Sequence, residues 1–260
     1  MTPERIFDGD LIRADVFQPG KPRLIVTFRQ RVARPGHFDA PRPTLSFTGR
    51  GYAHLHLQSL RNDWYVNAET EALEDCLAAF ARPYRRVVAM GFSMGAYAAF
   101  RYSRALRLMQ VIAVSPQVSV APSVVPFDRR YRSESAGFDP ERGDLARHGA
   151  AELGGALLYD PLRPMDRVHA RMLGEIFPQL RLCRLAGGGH PATQVLTAGG
   201  RFGQLQRQLF RGPPDPAAIV ALHRATRHGS PVYRRHIADA LRLRAGRTGT
   251  DAPAGPPSGP

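Results

Sequence analysis

The sequence predicts an α/β fold, a doubly wound and mainly parallel sheet with helices on both faces. Two observations carry that prediction. Between residues 24 and 185, short β-branched runs alternate with segments of helical period, the rhythm of strand-helix-strand units. The chain has 260 residues with 43% hydrophobic content, enough for one sizeable core, and its aromatic and charged fractions of 8% and 22% exclude a disordered or collagen-like class for most of its length. A single domain is expected over residues 1–245, with residues 115–153 as an excursion over the pocket. Residues 246–260, rich in Pro, Gly and Ala, are expected to be a disordered tail.

Each element has its own signal. Leu24 to Phe28 is a β-branched run after Pro22, closed by the polar Arg29, Gln30 and Arg31, and reads as a buried strand. Residues 32–51 read as a long loop, and His54 to Leu57 alternates like a strand. Asn67 is placed to cap a helix running to about Ala81, with Ala72, Leu73, Leu77 and Phe80 apolar and acids in its first turns. Arg85 to Met90 is a strand, Met94 to Leu106 a helix and Val111 to Val114 a strand. Pro122 to Leu153 is charged, Pro- and Arg-rich and weakly periodic. Ala156 to Tyr159 resumes the sheet, Val168 to Phe177 is a helix, and Leu180 to Leu185 is the last strand. Helical candidates follow around residues 202–210, 216–224 and 232–244.

The formal net charge is +14, which raises nucleic acid or an anionic membrane as partners. The distribution argues against both. Lys21 is the only lysine, and the arginines are scattered with no block of five or more basic residues, so no specific nucleic-acid partner is expected. Cys76 and Cys183 lack C-x-x-C or metal-ligand spacing and read as buried free thiols. His169, His54 and His56 have no carboxylate or cysteine at ligand spacing, read as helix or strand surface, and suggest no metal site. Glu4, Asp8, Asp10 and Asp15 stand where a signal peptide needs a basic start and an apolar run, and no stretch of about 18 uncharged apolar residues can span a membrane. Cytoplasmic localisation is the expectation.

The sharpest chemical signal is Gly91-Phe92-Ser93-Met94-Gly95, a G-x-S-x-G motif between a strand ending at Met90 and an alanine-rich helix. At so tight a turn the serine takes a strained conformation, and side chains at the flanking glycine positions would collide with strand and helix. The turn lifts the Ser93 hydroxyl out of the sheet toward a helix N-terminus, whose amides favour negative charge. In a parallel sheet, functional groups belong at the carboxyl ends of the strands.

Here the chain resembles the α/β-hydrolase fold family over roughly Leu24 to Gly200, and within it small bacterial hydrolases of unassigned activity. That resemblance implies the chain order serine, acid, histidine. Asp160 closes the strand Ala156 to Tyr159, and Asp160-Pro-Leu-Arg-Pro164 is similar to the D-P-L-V-P stretch of family members. Asp166, a few residues further on, is the alternative acid. His190 ends Ala186-Gly-Gly-Gly-His190, similar to the family's G-x-G-H loop after the last strand. The implied oxyanion donors are the Met94 amide and an amide of Phe28 or Arg29, although the loop lacks the family's common His-Gly motif.

The resemblance implies acyl transfer to water through a serine acyl-enzyme, on a small-molecule carboxylic ester or thioester, without a cofactor. Histidine supplies the base that a serine hydroxyl needs, and a carboxylate orients it. Two rivals stand beside this reading: an acyltransferase or thioesterase using the same groups, and a non-catalytic binding or scaffolding protein on the same fold. Trp64 and Tyr65 either line a substrate pocket or anchor their loop on the core. Arginines in residues 29–51 and 115–153 point toward an acidic or phosphorylated substrate. The sequence carries no signal for oligomeric state.

Overall fold

The structure of the chain, a computed structural model, describes residues 1–248. Its strands are β1 (Glu4–Asp8), β2 (Ile12–Phe17), β3 (Arg23–Phe28), β4 (Ala53–Ser59), β5 (Arg86–Phe92), β6 (Gln110–Val114), β7 (Gly154–Tyr159) and β8 (Leu180–Arg184). They form one sheet in the order β1-β2-β4-β3-β5-β6-β7-β8. Pairing is parallel from β4 through β3 and β5 to β8, and antiparallel at β1-β2 and β2-β4.

The helices are α1 (Leu45–Thr48), α2 (Thr70–Ala81), α3 (Met94–Arg101), α4 (Leu145–His148), α5 (Pro164–Ile176), α6 (Gln194–Ala198), α7 (Phe202–Gln206), α8 (Pro216–Arg227) and α9 (Pro231–Thr248). Because helices cover both faces, successive strand residues are buried on opposite sides. Val87 and Ala89 enter the core shared with α2, α3 and α5, and Val88 and Met90 enter the core shared with α1, α6, α7 and α8. The predicted doubly wound sheet is present. Among the described residues no helix is long and apolar enough to cross a membrane.

Several elements differ from the sequence reading. The N-terminal pair β1-β2 has no predicted counterpart, because Asp15, buried against Arg5 at 2.9 Å, interrupts the apolar pattern of β2. A short helix, α1, forms inside the expected loop 32–51. Asn67 organises the turn before α2, accepting the Glu69 amide at 2.9 Å, and the helix itself starts at Thr70. Helix α3 stops at Arg101 instead of Leu106. Helix α5 starts at Pro164, four residues before the expected Val168, with the proline ring at the helix start where its missing amide is harmless. That shift puts Asp166 in the first helical turn. Residues 115–153 form an excursion holding one turn of 3-10 helix at Glu134–Gly137 and the short helix α4, and Val118, Val120, Val125 and Phe138 pin it to the core that contains α2 and α3. Most of the expected tail lies outside the described residues, and α9 reaches Thr248.

Candidate active site

Ser93 sits between β5 and α3 with φ 47° and ψ −119°, a left-handed conformation that a serine adopts only when its surroundings impose it. Its amide donates to Val114 O at 2.8 Å, and its carbonyl receives the Ala96 and Tyr97 amides at 3.0 Å, so the chain is fixed on both sides of the turn. A Cβ at Gly91 would stand 2.5 Å from Gly95 O and 2.6 Å from Ala96 Cα; one at Gly95 would stand 2.5 Å from Phe28 O. Both glycines of the motif therefore permit main-chain contacts that alanine would forbid.

His190 follows β8 and faces the elbow. Its Nε2 lies 3.2 Å from Ser93 Oγ and its Nδ1 lies 2.7 Å from Asp166 Oδ2. A carboxylate only accepts, so the imidazole proton is assigned to Nδ1 and Nε2 is left to accept the serine hydroxyl.

The expected contact between Asp160 and His190 is not made. Asp160 Oδ1 accepts the amides of Leu162 at 2.9 Å and Gly187 at 3.0 Å, and Oδ2 accepts that of Gly189 at 2.9 Å. Two of these three bonds hold the glycine loop that carries His190. The loop's carbonyls are held from the other side, Gly187 O by His236 at 2.9 Å and Ala186 O by His223 at 3.0 Å. Asp166, 1% exposed and carried on the first turn of α5, takes the position expected for Asp160.

A second set of charges backs Asp166. Arg130 Nη1 donates to Asp166 Oδ1 at 2.7 Å, and Nη2 of the same guanidinium donates to Asp128 Oδ2 at 2.8 Å. Asp128 also meets His169 Nε2 at 2.8 Å, while Val118 donates its amide to His169 Nδ1 at 3.1 Å. His169 is thus fully buried with a carboxylate partner, contrary to the surface position expected for it. Burial opposes the charge on Asp128, but hydrogen bonds from His169 and Arg130 outweigh it and hold its pKa far below the ordinary value. Asp166 shows the same opposition, with His190 and Arg130 keeping its pKa low.

Both folded-state pKa values lie below the unfolded value of about 3.9, so the stability these groups contribute is complete above that pH and is lost as pH falls through the folded values. The urea midpoint of the protein is expected to decline as pH falls below about 6.5, because burial lowers the pKa of His54 to about 3 and of His56 to about 4 so that both take up protons on unfolding. It should fall more steeply below about pH 4 as the two aspartates lose their charge. Asp128→Asn should shrink that fall; an unchanged acid limb in this variant would contradict the assignment.

Of the expected oxyanion donors, the Met94 amide has no acceptor among the described residues. Arg29 does not fit, because its amide donates to Leu57 O at 2.8 Å, and Phe28 lies within β3. The next amide, that of Gln30, has no acceptor among the described residues, and the close approach of Gly95 to Phe28 O brings this loop against the elbow.

Trp64 and Tyr65, both with positive φ, are fully buried and line none of the cavities beside the site. They act as anchors. The Tyr65 hydroxyl donates its one proton between the carbonyls of Leu57 at 2.9 Å and Arg29 at 3.1 Å, and Trp64 Nε1 donates to Gln117 Oε1 at 3.1 Å. The same Gln117 oxygen lies 3.4 Å from Ser93 Oγ, and Tyr131 packs edge-on against Trp64 with its hydroxyl 3.5 Å from His190 Nε2. Gln117, Arg130 and Tyr131 all come from the aperiodic excursion, which carries no motif to announce them.

Two cavities flank the elbow. One of about 510 Å³, mainly apolar, is lined by Pro191, Thr193, Thr197, Ala198 and Phe202. The other, about 720 Å³, lies over β3 and β4 and is walled by Thr27, Arg29, His54 and His56. Gln30, Phe92 and Phe202 line both.

No family model matches the chain, and no curated protein matches it. Among solved structures, the chain is similar to a capsule O-acetyltransferase of Neisseria meningitidis serogroup A in complex with CoA, at 13% identity, covering 80% of this chain and 95% of that one with a TM-score of 0.58. It is also similar to the glycosylation-associated Gap123 complex from Streptococcus agalactiae, at 13% identity over 81% of this chain and 46% of that one, TM-score 0.57. Identities this low speak to the fold. With its serine turn after β5, a parallel sheet extended at one edge by antiparallel strands, and helices on both faces, the chain has an α/β-hydrolase fold.

Proposed function

We propose that the chain is a serine hydrolase that cleaves a carboxylic ester or thioester through an acyl-enzyme. The observation that carries this is the continuous hydrogen-bonded line from Ser93 Oγ through His190 to Asp166, at 3.2 and 2.7 Å. In the first half-reaction the Ser93 proton passes to His190 Nε2 while Oγ bonds to the substrate carbonyl carbon, whose π electrons move to oxygen. The amides of Met94 and Gln30 stabilise that oxyanion. Collapse breaks the bond to the leaving oxygen or sulfur, which departs with the proton from His190. Water then attacks the acyl carbon, giving its proton to His190, and the carboxylic acid leaves as Ser93 regains its proton. Asp166, kept ionised by Arg130, holds the imidazole and offsets the charge it acquires.

The decisive experiment is labelling with a fluorophosphonate probe. Wild-type protein should label, and Ser93→Ala should not while keeping the wild-type circular dichroism spectrum. Labelling that survives in the folded variant would remove Ser93 from the nucleophile's role. An unlabelled wild type would favour a non-catalytic binding protein on this fold.

Transfer of the acyl group to an alcohol or thiol is the second reading. It is supported by the shielding of Ser93, which is 5% exposed, with the Tyr131 hydroxyl 3.5 Å from the neighbouring His190 Nε2. Adding glycerol or a simple thiol to a turnover assay separates the two: an acyltransferase diverts the acyl group from carboxylic acid into the new ester or thioester.

A further inference from the structure

The larger cavity has a wall built from groups that are costly to bury. Thr44 donates its amide to His54 Nδ1 at 3.1 Å, so the ring proton of His54 belongs on Nε2, which meets Thr27 Oγ1 at 2.8 Å. The Thr27 hydroxyl, accepting there, gives its own proton to His56 Nδ1 at 2.9 Å. His56 is left protonated on Nε2, a nitrogen with no partner among the described residues. Burial lowers the pKa of His54 to about 3 and of His56 to about 4, so both rings are neutral near pH 7 and the relay keeps this sense.

Arg29 forms the adjacent wall. Its side chain is 7% exposed; Nη1 donates to His37 O at 2.7 Å and Nη2 faces Asp39 at 3.4 Å, but Nε is buried with no acceptor. Asp39 itself is largely exposed, and its charge is screened by solvent. At the rim Arg42 is exposed and makes no hydrogen bond among the described residues. Two of the acceptors that a neutral polyol would use are occupied. The Thr27 hydroxyl is in the relay, and the Gln58 amide is spent on the backbone of Asp39 at 2.8 and 3.0 Å. Beside the Asp39 carboxylate, the exposed Gln30 amide and the Thr44 hydroxyl, this wall holds unpartnered donors and cations in the buried Arg29 Nε, the His56 Nε2–H and the exposed Arg42, the complement of oxygen atoms bearing negative charge.

We propose that this cavity binds an oxyanion group, carboxylate or phosphate, carried by the substrate at a distance from its scissile bond, with Arg29 and His56 as the groups that read it. The inference rests on Ser93 as nucleophile only for the word substrate; the anion site stands on the cavity alone. The path between the two is the wall shared through Gln30 and Phe92, the latter adjacent to Ser93. The substrate class is therefore an ester or thioester with an anionic end, and the apolar cavity beside Pro191 accommodates a hydrocarbon portion.

The test begins with binding, using Ser93→Ala so that turnover plays no part. Inorganic phosphate and glutarate, at constant ionic strength set with chloride, should be compared for their effect on melting temperature. At least one should raise it, and the more effective anion identifies the headgroup chemistry. The rise should disappear in Arg29→Gln and shrink in Arg42→Ala, an exposed position whose replacement does not threaten folding. No rise with either anion, or a rise that survives in both arginine variants and so belongs to other arginines of this basic chain, overturns the proposal. In wild-type protein, p-nitrophenyl esters of equal chain length ending in methyl, carboxylate or phosphate should differ in kcat/KM by about tenfold or more in favour of an anionic end, through KM. Arg29→Gln should abolish that preference. Equal turnover of all three esters sinks the anion site and leaves the hydrolase reading intact, whereas an anion-dependent rise in a protein that neither labels nor turns over sinks the hydrolase reading and leaves the anion site intact.

Discussion

Replacing His190 by alanine should lower turnover of any accepted ester by roughly three to six decades, the range seen when the base of a serine-histidine-aspartate set is removed. Among the described residues the imidazole is the only group in line with both Ser93 Oγ and a buried carboxylate, and in the proposed mechanism it handles the proton in both half-reactions. His169→Ala is the informative comparison. That ring touches Asp128 and not Ser93, and its loss leaves a buried carboxylate short of a donor, at about 1–3 kcal/mol of stability. Denaturation midpoints and single-turnover rates on the two variants read the difference. A comparable loss of turnover in His169→Ala, with the fold intact, would mean that the base has been assigned to the wrong loop.

Asp166→Asn should cost about four decades in turnover, because a carboxamide no longer enforces the tautomer that leaves Nε2 free to accept the serine proton. The remaining Oδ1 can still accept from Arg130, which also keeps its contacts to Asp128. Asp160→Asn should behave differently. An amide group placed against the Gly187 or Gly189 N–H sets donor against donor, so the main effect is a loss of about 1–3 kcal/mol in stability, with a smaller fall in rate from the displaced loop. Steady-state kinetics beside urea denaturation would separate them, and a folded Asp160→Asn that is slower than Asp166→Asn would reverse the two assignments.

The contrast between these aspartates also marks how far the sequence could be read. The parallel strands were legible because each is a short apolar run bounded by turns, and Ser93 because its motif sits at a strand-to-helix junction. His190 was legible from its place after the last strand. The choice of acid was not. Asp160 is directed by amides 27 and 29 residues away, contacts that exist only once β7 and β8 pair. The early start of α5 at Pro164, which brings Asp166 to the helix end, was hidden because the apolar period becomes clear only from Val168. The charges behind Asp166 come from an excursion without period or motif, held by a few buried apolar residues, and β1-β2 carries no strand signal because a strand with a buried Asp15-Arg5 pair does not resemble an apolar run.

The elbow glycines carry a consequence for suppressor genetics. In most crowded sites a damaging substitution can be relieved by trimming the neighbour it strikes, since that neighbour is a side chain. At Gly91 and Gly95 the neighbours are main-chain atoms of Gly95, Ala96, Phe28 and Arg29, which every amino acid shares. No compensating side-chain replacement at those four positions can make room. Relief would require moving α3 relative to β3 and β5, and with it the hydroxyl that the turn exists to present, so restored folding and restored chemistry cannot be won by the same second mutation.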